Sequence, residues 1–473
     1  MTKINNLLEL AIPSILALFF SYSPEFVNLH IIGMYGSTAE INGISLGNII
    51  LIIFAFTIMW GFCGSLDTFM SQAFGAKDFE LAGHYLNAGR LLMVFVFIPM
   101  IPIMMFSDRI LHLFQQDAAS AEQARLYLLY MLPGIFFMYF YDAQRRLLQS
   151  FKMVKHQAAI CFTSAIAHYI IAYVLTKHYQ MGVIGLAYAT SVGYLINLVL
   201  ALIVCRINPV LNKAEVNFDL KKLKFGNLIR VGFFNVTMIG LKWYSFQYMI
   251  LIAVKISVID QIAFNNIFNF SYLIITIASG ISNSFSQIIA SSIGAKQYQR
   301  AKSYGIFVYQ FGLPLAIFFC FVLYALQNQI VKIFGDNEQI RTTMLATFDL
   351  ATLSLFFDFF QQLQLSMIRA IGLFKLASFT NFMAYELVLI PVSTLLVFHF
   401  DGSVRSLWIA LITAYAAVNT LYFFAIWGCN CSVRQFKANH NILPSDESYE
   451  KDRERRLYME DKDIDKDLKE KLI

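Results

Sequence analysis

Long apolar stretches separated by short polar segments recur along the chain as far as about residue 428. Each stretch is long enough, at about 20 residues or more, to cross a ~30 Å hydrocarbon core as a helix. Backbone amides cannot stay unpaired in lipid, so we expect every span to be helical. The pattern predicts twelve spans, at roughly 9–32, 43–66, 86–106, 124–148, 157–177, 184–206, 231–255, 261–285, 303–326, 345–370, 377–399 and 407–428.

Composition and charge support a multi-pass membrane protein. Hydrophobic residues make up 58% of the chain and charged residues 14%, against about 25% charged residues in soluble domains. If the N-terminus lies inside, the inside loops hold far more lysines and arginines than the outside loops, which predicts that both termini are cytoplasmic. The net charge of +6 therefore reflects topology, and we expect no nucleic-acid partner, because no soluble module carries a clustered basic face.

Two runs repeat between the halves of the chain. Gly61 to Lys77 returns with substitutions as Gly280 to Lys296, and Arg146 to Lys152 returns as Arg369 to Lys375. Six predicted spans precede the basic connector and six follow it, so both halves start on the same side and should be related by an axis along the membrane normal. The predicted division is an N-lobe at 1–206, a connector at 207–230, a C-lobe at 231–430 and a tail at 431–473.

The segments outside the spans leave alternatives open. The connector mixes apolar side chains with lysines, which is typical of an amphipathic helix on the inner leaflet or of a solvated linker; we favour the helix. Residues 446–471 alternate acidic and basic side chains, as in a disordered tail or a solvated helix. Cys429 and Cys431 are either palmitoylation sites or two inert thiols.

Four motifs lie in order on the predicted spans and together resemble the multidrug and toxic-compound extrusion (MATE) family, in its eukaryotic branch. The resemblance covers about residues 8–430. The motifs are Leu66-Asp67-Thr68 with Gln72-Ala73-Phe74-Gly75-Ala76, Arg146-Leu147-Leu148-Gln149, Asp358-Phe359-Phe360-Gln361 with Arg369-Ala370-Ile371-Gly372, and Asn381 with Tyr385 and Pro391.

The resemblance implies an all-α integral membrane fold, with twelve transmembrane helices in two pseudo-symmetric six-helix lobes arranged as a V. A central cavity would open alternately to either side. Such proteins export organic cations, drugs or metabolites in exchange for protons or sodium, at plasma or vacuolar membranes. The resemblance thus implies a small organic substrate, a coupling proton or sodium ion, contact with membrane lipids, a monomer, no cofactor and no enzymatic activity.

The chain departs from the family at its coupling positions. Eukaryotic relatives carry Glu-Trp and a second Glu in the seventh span, where carboxylates bind the coupling proton. Here Lys242, Trp243 and Gln247 occupy that stretch. In the first span bacterial relatives have an aspartate where this chain has Asn28, with Glu25 three residues earlier on the same helical face.

Ionised side chains within the hydrocarbon region cost several kcal/mol, so intramembrane acids and bases are candidates for function. Lys242 is the only intramembrane base that the sequence identifies. Glu25 is a cavity-facing ion site or an acid that reaches water, and Asp358 is a coupling acid or a polar residue satisfied by Gln361 or Gln362. The candidate ion-coupling or substrate-binding residues are Glu25, Asn28, Lys242, Trp243, Gln247, Asp358, Gln361 and Glu386.

Lys242 and Asp358 suggest a specific hypothesis. A buried lysine tends to lose its proton and a buried aspartate to gain one, unless the two are close enough to form an ion pair. Such a pair would let Lys242 replace the coupling proton permanently, which leaves coupling to Glu25. Asp142, near Arg145, is expected to be an interfacial ion-pair partner instead.

Three functional classes remain at this stage. The first is a secondary-active antiporter that exports amphipathic organic solutes. The second is a flippase for lipid or lipid-linked saccharide, which would need a cationic cavity, and the third is a receptor or structural protein, for which a repeat of six spans has no evident use. The sequence has no Gly-rich loop ending in GKS or GKT, so we expect no ATP-driven transport.

Overall fold

The computed structural model describes residues 2–114, 116–223, 225–333, 337–400 and 402–428. Cys429, Cys431 and the charged tail lie outside these residues. Twelve long helices fill the described part, which contains no strand. They are α1 (Thr2–Tyr35), α2 (Thr38–Gly75), α3 (Phe79–Met105), α4 (Ala118–Ser150), α5 (Val154–Lys177), α6 (Gly182–Ile207), α7 (Phe225–Ile256), α8 (Val258–Gly294), α9 (Tyr298–Ala325), α10 (Glu338–Ile371), α11 (Phe374–Phe398) and α12 (Val404–Trp427).

Eleven of these helices are long and apolar enough to cross a membrane, judged over the described residues. The twelfth, α7, has the required length, but Lys242, Ser245 and Gln247 reduce the apolar character of its middle. The prediction of a twelve-helix membrane protein is thus confirmed, with α7 as the most polar span.

Most helices extend beyond the predicted spans. Helix α2 continues to Gly75 and α8 to Gly294, although the apolar stretches end about nine residues earlier. Polar side chains are tolerated where a helix leaves the hydrocarbon core, so hydropathy underestimates helix length. The start of α2 is fixed by a capping box, in which Ser37 and Glu40 satisfy each other's backbone N–H groups.

The connector is not the amphipathic helix that we favoured. Between α6 and α7, only Pro209–Asn212 is helical among the described residues, and the chain then continues in turns. This segment packs against α3, where the Asn87 amide donates to the Val216 carbonyl at 3.1 Å. The backbone of this segment therefore hydrogen-bonds to α3, and Phe218 and Leu220 are exposed on the surface.

The sequence repeat is also a repeat of backbone conformation. Helices α2 and α8 end in the same turn, in which Lys77 and Lys296 both have φ of 59°. At the ends of α4 and α10, Lys152 has φ of 62° and Gly372 has φ of 82°. Lys77 and Lys296 terminate α2 and α8 at corresponding positions of the two halves. The ends of α4 and α10 differ, because Gly372 lies three residues before Lys375, the counterpart of Lys152.

Glycines of the repeat let the two halves approach each other where α2 crosses α8. A Cβ on Gly75 would lie 1.9 Å from the Ser291 carbonyl oxygen, and a Cβ on Gly294 would lie 1.9 Å from the Gln72 carbonyl oxygen. Only glycine permits this approach of two helix backbones. The contact is reciprocal and closes the space between the halves at this end, which the charge pattern predicts to be cytoplasmic.

The other two glycines of the repeat also lie between the halves. A Cβ on Gly61 in α2 would come within 2.3 Å of Val236 in α7, and one on Gly280 in α8 would come within 2.5 Å of Ile15 in α1. The repeated glycines are therefore positions of contact between the halves, and this explains why these residues recur in both copies.

Candidate functional site

A cavity lies between the two halves, above the crossing of α2 and α8, with a volume of about 190 Å³ available to water. Helices of both halves line it. Its aromatic walls are formed by Tyr22, Trp60, Trp243, Tyr272 and Tyr422. Its polar walls include the amides of Asn235, Asn283, Gln361, Gln362 and Asn381.

Lys242 and Asp358 are in contact beside this cavity, as the ion-pair hypothesis requires. Lys242 Nζ donates to Asp358 Oδ1 at 2.5 Å, and the two side chains are 15% and 12% exposed. The Tyr415 hydroxyl donates to the other carboxylate oxygen at 3.1 Å. The ammonium also lies 5.4 Å from the centre of the Tyr415 ring and 5.6 Å from that of Phe246, so its charge is compensated on several sides.

The remaining candidates of the C-terminal half surround this pair without joining it. Gln361 forms no hydrogen bond with Asp358, whose partners are Lys242 and Tyr415; its Oε1 accepts from the Tyr385 hydroxyl at 3.0 Å. Glu386 lies in a π-helical segment of α11, Phe382–Leu389, and accepts from Ser245 at 3.3 Å. The alternative in which an amide satisfies Asp358 is therefore wrong.

The candidates of the N-terminal half form a separate polar group. The Asn28 amide donates to Thr190 at 2.9 Å and to the Tyr127 hydroxyl at 3.3 Å. Thr190 in turn lies 3.3 Å from His168 Nε2. Glu25 lies one turn away on α1 and has no ion-pair or hydrogen-bond donor among the described residues.

The structure divides the candidates into those at the cavity and those beside it. Lys242, Trp243 and Gln361 line it. Glu25, Asn28, Gln247, Asp358 and Glu386 are outside its lining. Tyr244, the neighbour of Trp243 in the chain, is 45% exposed and does not line the cavity.

A second charged group at the cavity was not predicted. Arg145 and Arg146 of α4 both bind Asp142, which is fully buried, and Arg146 also binds Asp67 of α2. Asp142 therefore is an ion-pair partner, as expected, but it belongs to the protein interior instead of the interface. Burial of this group shows that the end of α4 lies deeper in the fold than its hydropathy suggested.

Arg369 of α10 is the third arginine that lines the cavity, after Arg145 and Arg146. Its Nη1 donates to Asn283 Oδ1 at 2.9 Å, and its own carbonyl accepts from Thr68 at 2.5 Å. Lys242 is thus one of four basic side chains that line the cavity, with Arg145, Arg146 and Arg369. The signal in the sequence was the repeat itself, which pairs Arg146 with Arg369 at corresponding positions.

Two helical halves of the same plan, joined around a solute-sized cavity within membrane spans, define the class as a multi-pass membrane transporter. A family model described as MatE matches the chain twice, over residues 13–174 and 236–395, once in each half. The chain belongs to this family. It is a MATE transporter, and the resemblance seen in its motifs is confirmed.

Relatives and solved structures agree with this assignment over most of the chain. Protein DETOXIFICATION 9 of Arabidopsis thaliana is 21% identical over 443 residues, which cover 93% of this chain and 92% of that protein. Multidrug and toxin extrusion protein 1 of Oryctolagus cuniculus is 22% identical over 448 residues, covering 93% and 78%. The crystal structure of the eukaryotic MATE transporter AtDTX14 superposes with a TM-score of 0.87 at 19% identity, covering 93% of this chain and 98% of that one.

Proposed function

We propose that this protein is a secondary-active antiporter that exports amphipathic organic solutes by alternating access. The observation that carries the proposal is the cavity lined by both halves and closed at one end by the reciprocal Gly75 and Gly294 contacts. A solute bound there has access to one side only while these contacts hold. Rocking of one half against the other would break them and open the opposite side.

Coupling to an ion gradient is the second part of the proposal. In the C-terminal half the ammonium of Lys242 already occupies Asp358, so no proton is needed to neutralise that carboxylate. Glu25 has no cationic partner among the described residues, and an unpaired intramembrane carboxylate is suited to bind a proton or a sodium ion. We therefore assign coupling to Glu25, near the polar group of Asn28, Thr190 and His168.

The test is solute uptake by proteoliposomes that contain the full chain, with proton or sodium gradients imposed separately. One of the two gradients should drive uptake against a concentration difference, and Glu25→Gln should abolish that driven uptake. Asp358→Asn should retain dependence on the gradient at reduced activity. Normal driven transport by Glu25→Gln, together with an inactive Asp358→Asn, would place coupling in the C-terminal half and make Lys242 a modulator of Asp358.

The proposal extends to the oligomeric state, the orientation and the membrane of the transporter. We propose a monomer with both termini in the cytoplasm, in a plasma or vacuolar membrane. The lobes would correspond to residues 1–206 and 231–430, and the connector 207–230 would lie on the cytoplasmic side. The surplus of basic residues in the loops of that side supports this orientation.

A further inference from the structure

The charges at the cavity have an unusual sign for a protein expected to export cations. Four basic side chains line the cavity, and none of its described lining residues is an aspartate or glutamate. A positive charge placed here would face arginine and lysine, and such like-charge contacts are unfavourable in a partly desolvated cavity. A negative charge would be attracted.

Most of these basic groups are neutralised by carboxylates behind the cavity wall. Lys242 is paired with Asp358, while Arg145 and Arg146 share Asp142 and Asp67. Asp67, Asp142 and Asp358 are thus all paired with these three cations. Glu25 and Glu386 form no ion pair with the basic residues of the cavity in the described part of the chain.

Arg369 differs from the other three. Its hydrogen-bond partner is the neutral amide of Asn283, and no carboxylate lies within ion-pair distance of it among the described residues. A guanidinium carries five N–H donors in a planar fork that fits carboxylate, sulfonate or phosphate oxygens in pairs. One donor is used by Asn283, so the fork retains donors for an anionic ligand.

The surroundings of Arg369 suit the rest of such a ligand. The ring centres of Tyr22 and Tyr272 lie 5.8 Å apart in an edge-to-face contact, and the Trp243 ring contacts Tyr272 in the same way at 5.8 Å. All three rings line the cavity. Aromatic faces at this spacing offer a surface to a flat apolar body. The cavity therefore combines a cationic end with aromatic walls.

We propose that the cavity takes amphipathic organic anions, whose carboxylate, sulfonate or phosphate group binds Arg369 and whose flat body contacts Tyr22, Tyr272 and Trp243. This inference rests on the proposed export of organic solutes and specifies their charge. It reverses the sign expected from the resemblance, because the lysine at the seventh-span position removes the acid that would attract a cation.

The test uses two xanthene dyes of opposite charge, fluorescein as the anion and rhodamine 6G as the cation, on the purified full-length protein in nanodiscs. Fluorescence anisotropy should show fluorescein binding at least about 10-fold more tightly than rhodamine 6G. Arg369→Gln should weaken fluorescein binding about 10–100-fold, the usual worth of a charge-assisted hydrogen bond. Arg125→Gln, which removes a charge at a peripheral pair with Glu122, should not change it.

Asn283→Asp supplies a second variant that keeps the shape of the site. The new carboxylate would pair with Arg369, so fluorescein binding should fall and rhodamine 6G binding should rise in a protein with unchanged thermal stability. Tighter binding of rhodamine 6G to the unaltered protein, or an unchanged preference in Asn283→Asp, would overturn the proposal. Displacement of fluorescein by millimolar chloride as effectively as by benzoate would likewise assign Arg369 to an inorganic anion.

Measurements of dye binding and of dye transport test this inference and the proposed function separately. Gradient-driven uptake of rhodamine 6G without fluorescein binding would leave the antiporter in place and refute the anion preference. Tight fluorescein binding without uptake under either gradient would support the cavity chemistry and refute antiport.

Discussion

The Lys242 ammonium lies between the Asp358 carboxylate and the faces of two aromatic rings. The carboxylate and the two rings together compensate its charge. Removing one member of a buried ion pair leaves the other charge without compensation, whereas removing both can be nearly neutral. The stability of the C-terminal half should therefore depend on the pair as a unit more than on either residue.

Lys242→Met is predicted to lower the free energy of unfolding by about 3–5 kcal/mol, because it leaves the Asp358 carboxylate buried without its cation. The double variant Lys242→Met/Asp358→Leu should recover most of that loss. Thermal unfolding of the purified proteins measures both changes. Equal destabilisation by the single and double variants would show that packing of the Lys242 stem, instead of its charge, is what matters.

The same single variant should also become sensitive to pH. An aspartate without its lysine is tolerated best in the protonated form, so Lys242→Met should be more stable and more active at acidic pH and lose both as pH rises through neutrality. The unaltered protein keeps its ion pair over that range, so its stability should change little.

At the scale of residues, the sequence was sufficient to suggest the contact between Lys242 and Asp358, since Lys242 was the only intramembrane base identified, although Glu25 and Glu386 were also candidate acids. It was insufficient for Arg369. The partner of this residue, Asn283, lies on a different helix, and the rotation of each helix about its own axis depends on the packing of the whole bundle. Apolar periodicity specifies that rotation weakly in a membrane protein, because lipid-facing and buried positions are both apolar.

At the scale of elements, the crossing of α2 and α8 is the contact on which alternating access should depend. Gly75 and Gly294 bring the two backbones together there, and the left-handed Lys77 and Lys296 end the helices immediately afterwards. Both helices therefore stop at corresponding points, just beyond the contact that closes the cavity.

Gly75→Ala and Gly294→Ala are each predicted to reduce transport at least about 10-fold, since a methyl group 1.9 Å from a carbonyl oxygen must push the helices apart and disfavour the closed end by 1.4 kcal/mol or more. A cysteine placed at Ser279 in the cavity should become more reactive towards an impermeant maleimide added on the cytoplasmic side. Gly33→Ala is the matched control, because nothing lies within 4 Å of its Cβ position. Equal transport by Gly75→Ala and Gly33→Ala would contradict the assignment of this crossing as a gate.

Helix number and order could be predicted from hydropathy, but helix ends and the connector could not. The connector fails as an amphipathic helix because Ala214 and Val216 make backbone contacts with Gly83 and Asn87 of α3. A pattern of apolar and basic residues does not distinguish a helix on a membrane surface from a turn segment that packs its backbone on a neighbouring helix.

At the scale of the whole molecule, orientation in the membrane is the property on which the direction of transport depends. We predict that a tag after residue 473 is shielded in sealed cells, and that a tag inserted within 401–404 is reachable from the non-cytoplasmic side. The reason is the excess of lysine and arginine in the loops on the side of the termini. Protease protection of the two tagged proteins measures the accessibility of each tag. An exposed C-terminal tag would reverse the proposed direction of export.

The reciprocal glycine contacts have a consequence for the origin of the chain. Gly75 touches the second half in the way that Gly294 touches the first, which is the relation between subunits at a self-complementary two-fold interface. Two separate copies of one six-helix protein, inserted in the same direction, would meet through that same surface. The arrangement thus points to an ancestral parallel homodimer whose gene was duplicated and fused, with the connector as a part that has no counterpart in the ancestor. After fusion the two subunits were free to differ, and the lysine at position 242 in the second copy is one such difference.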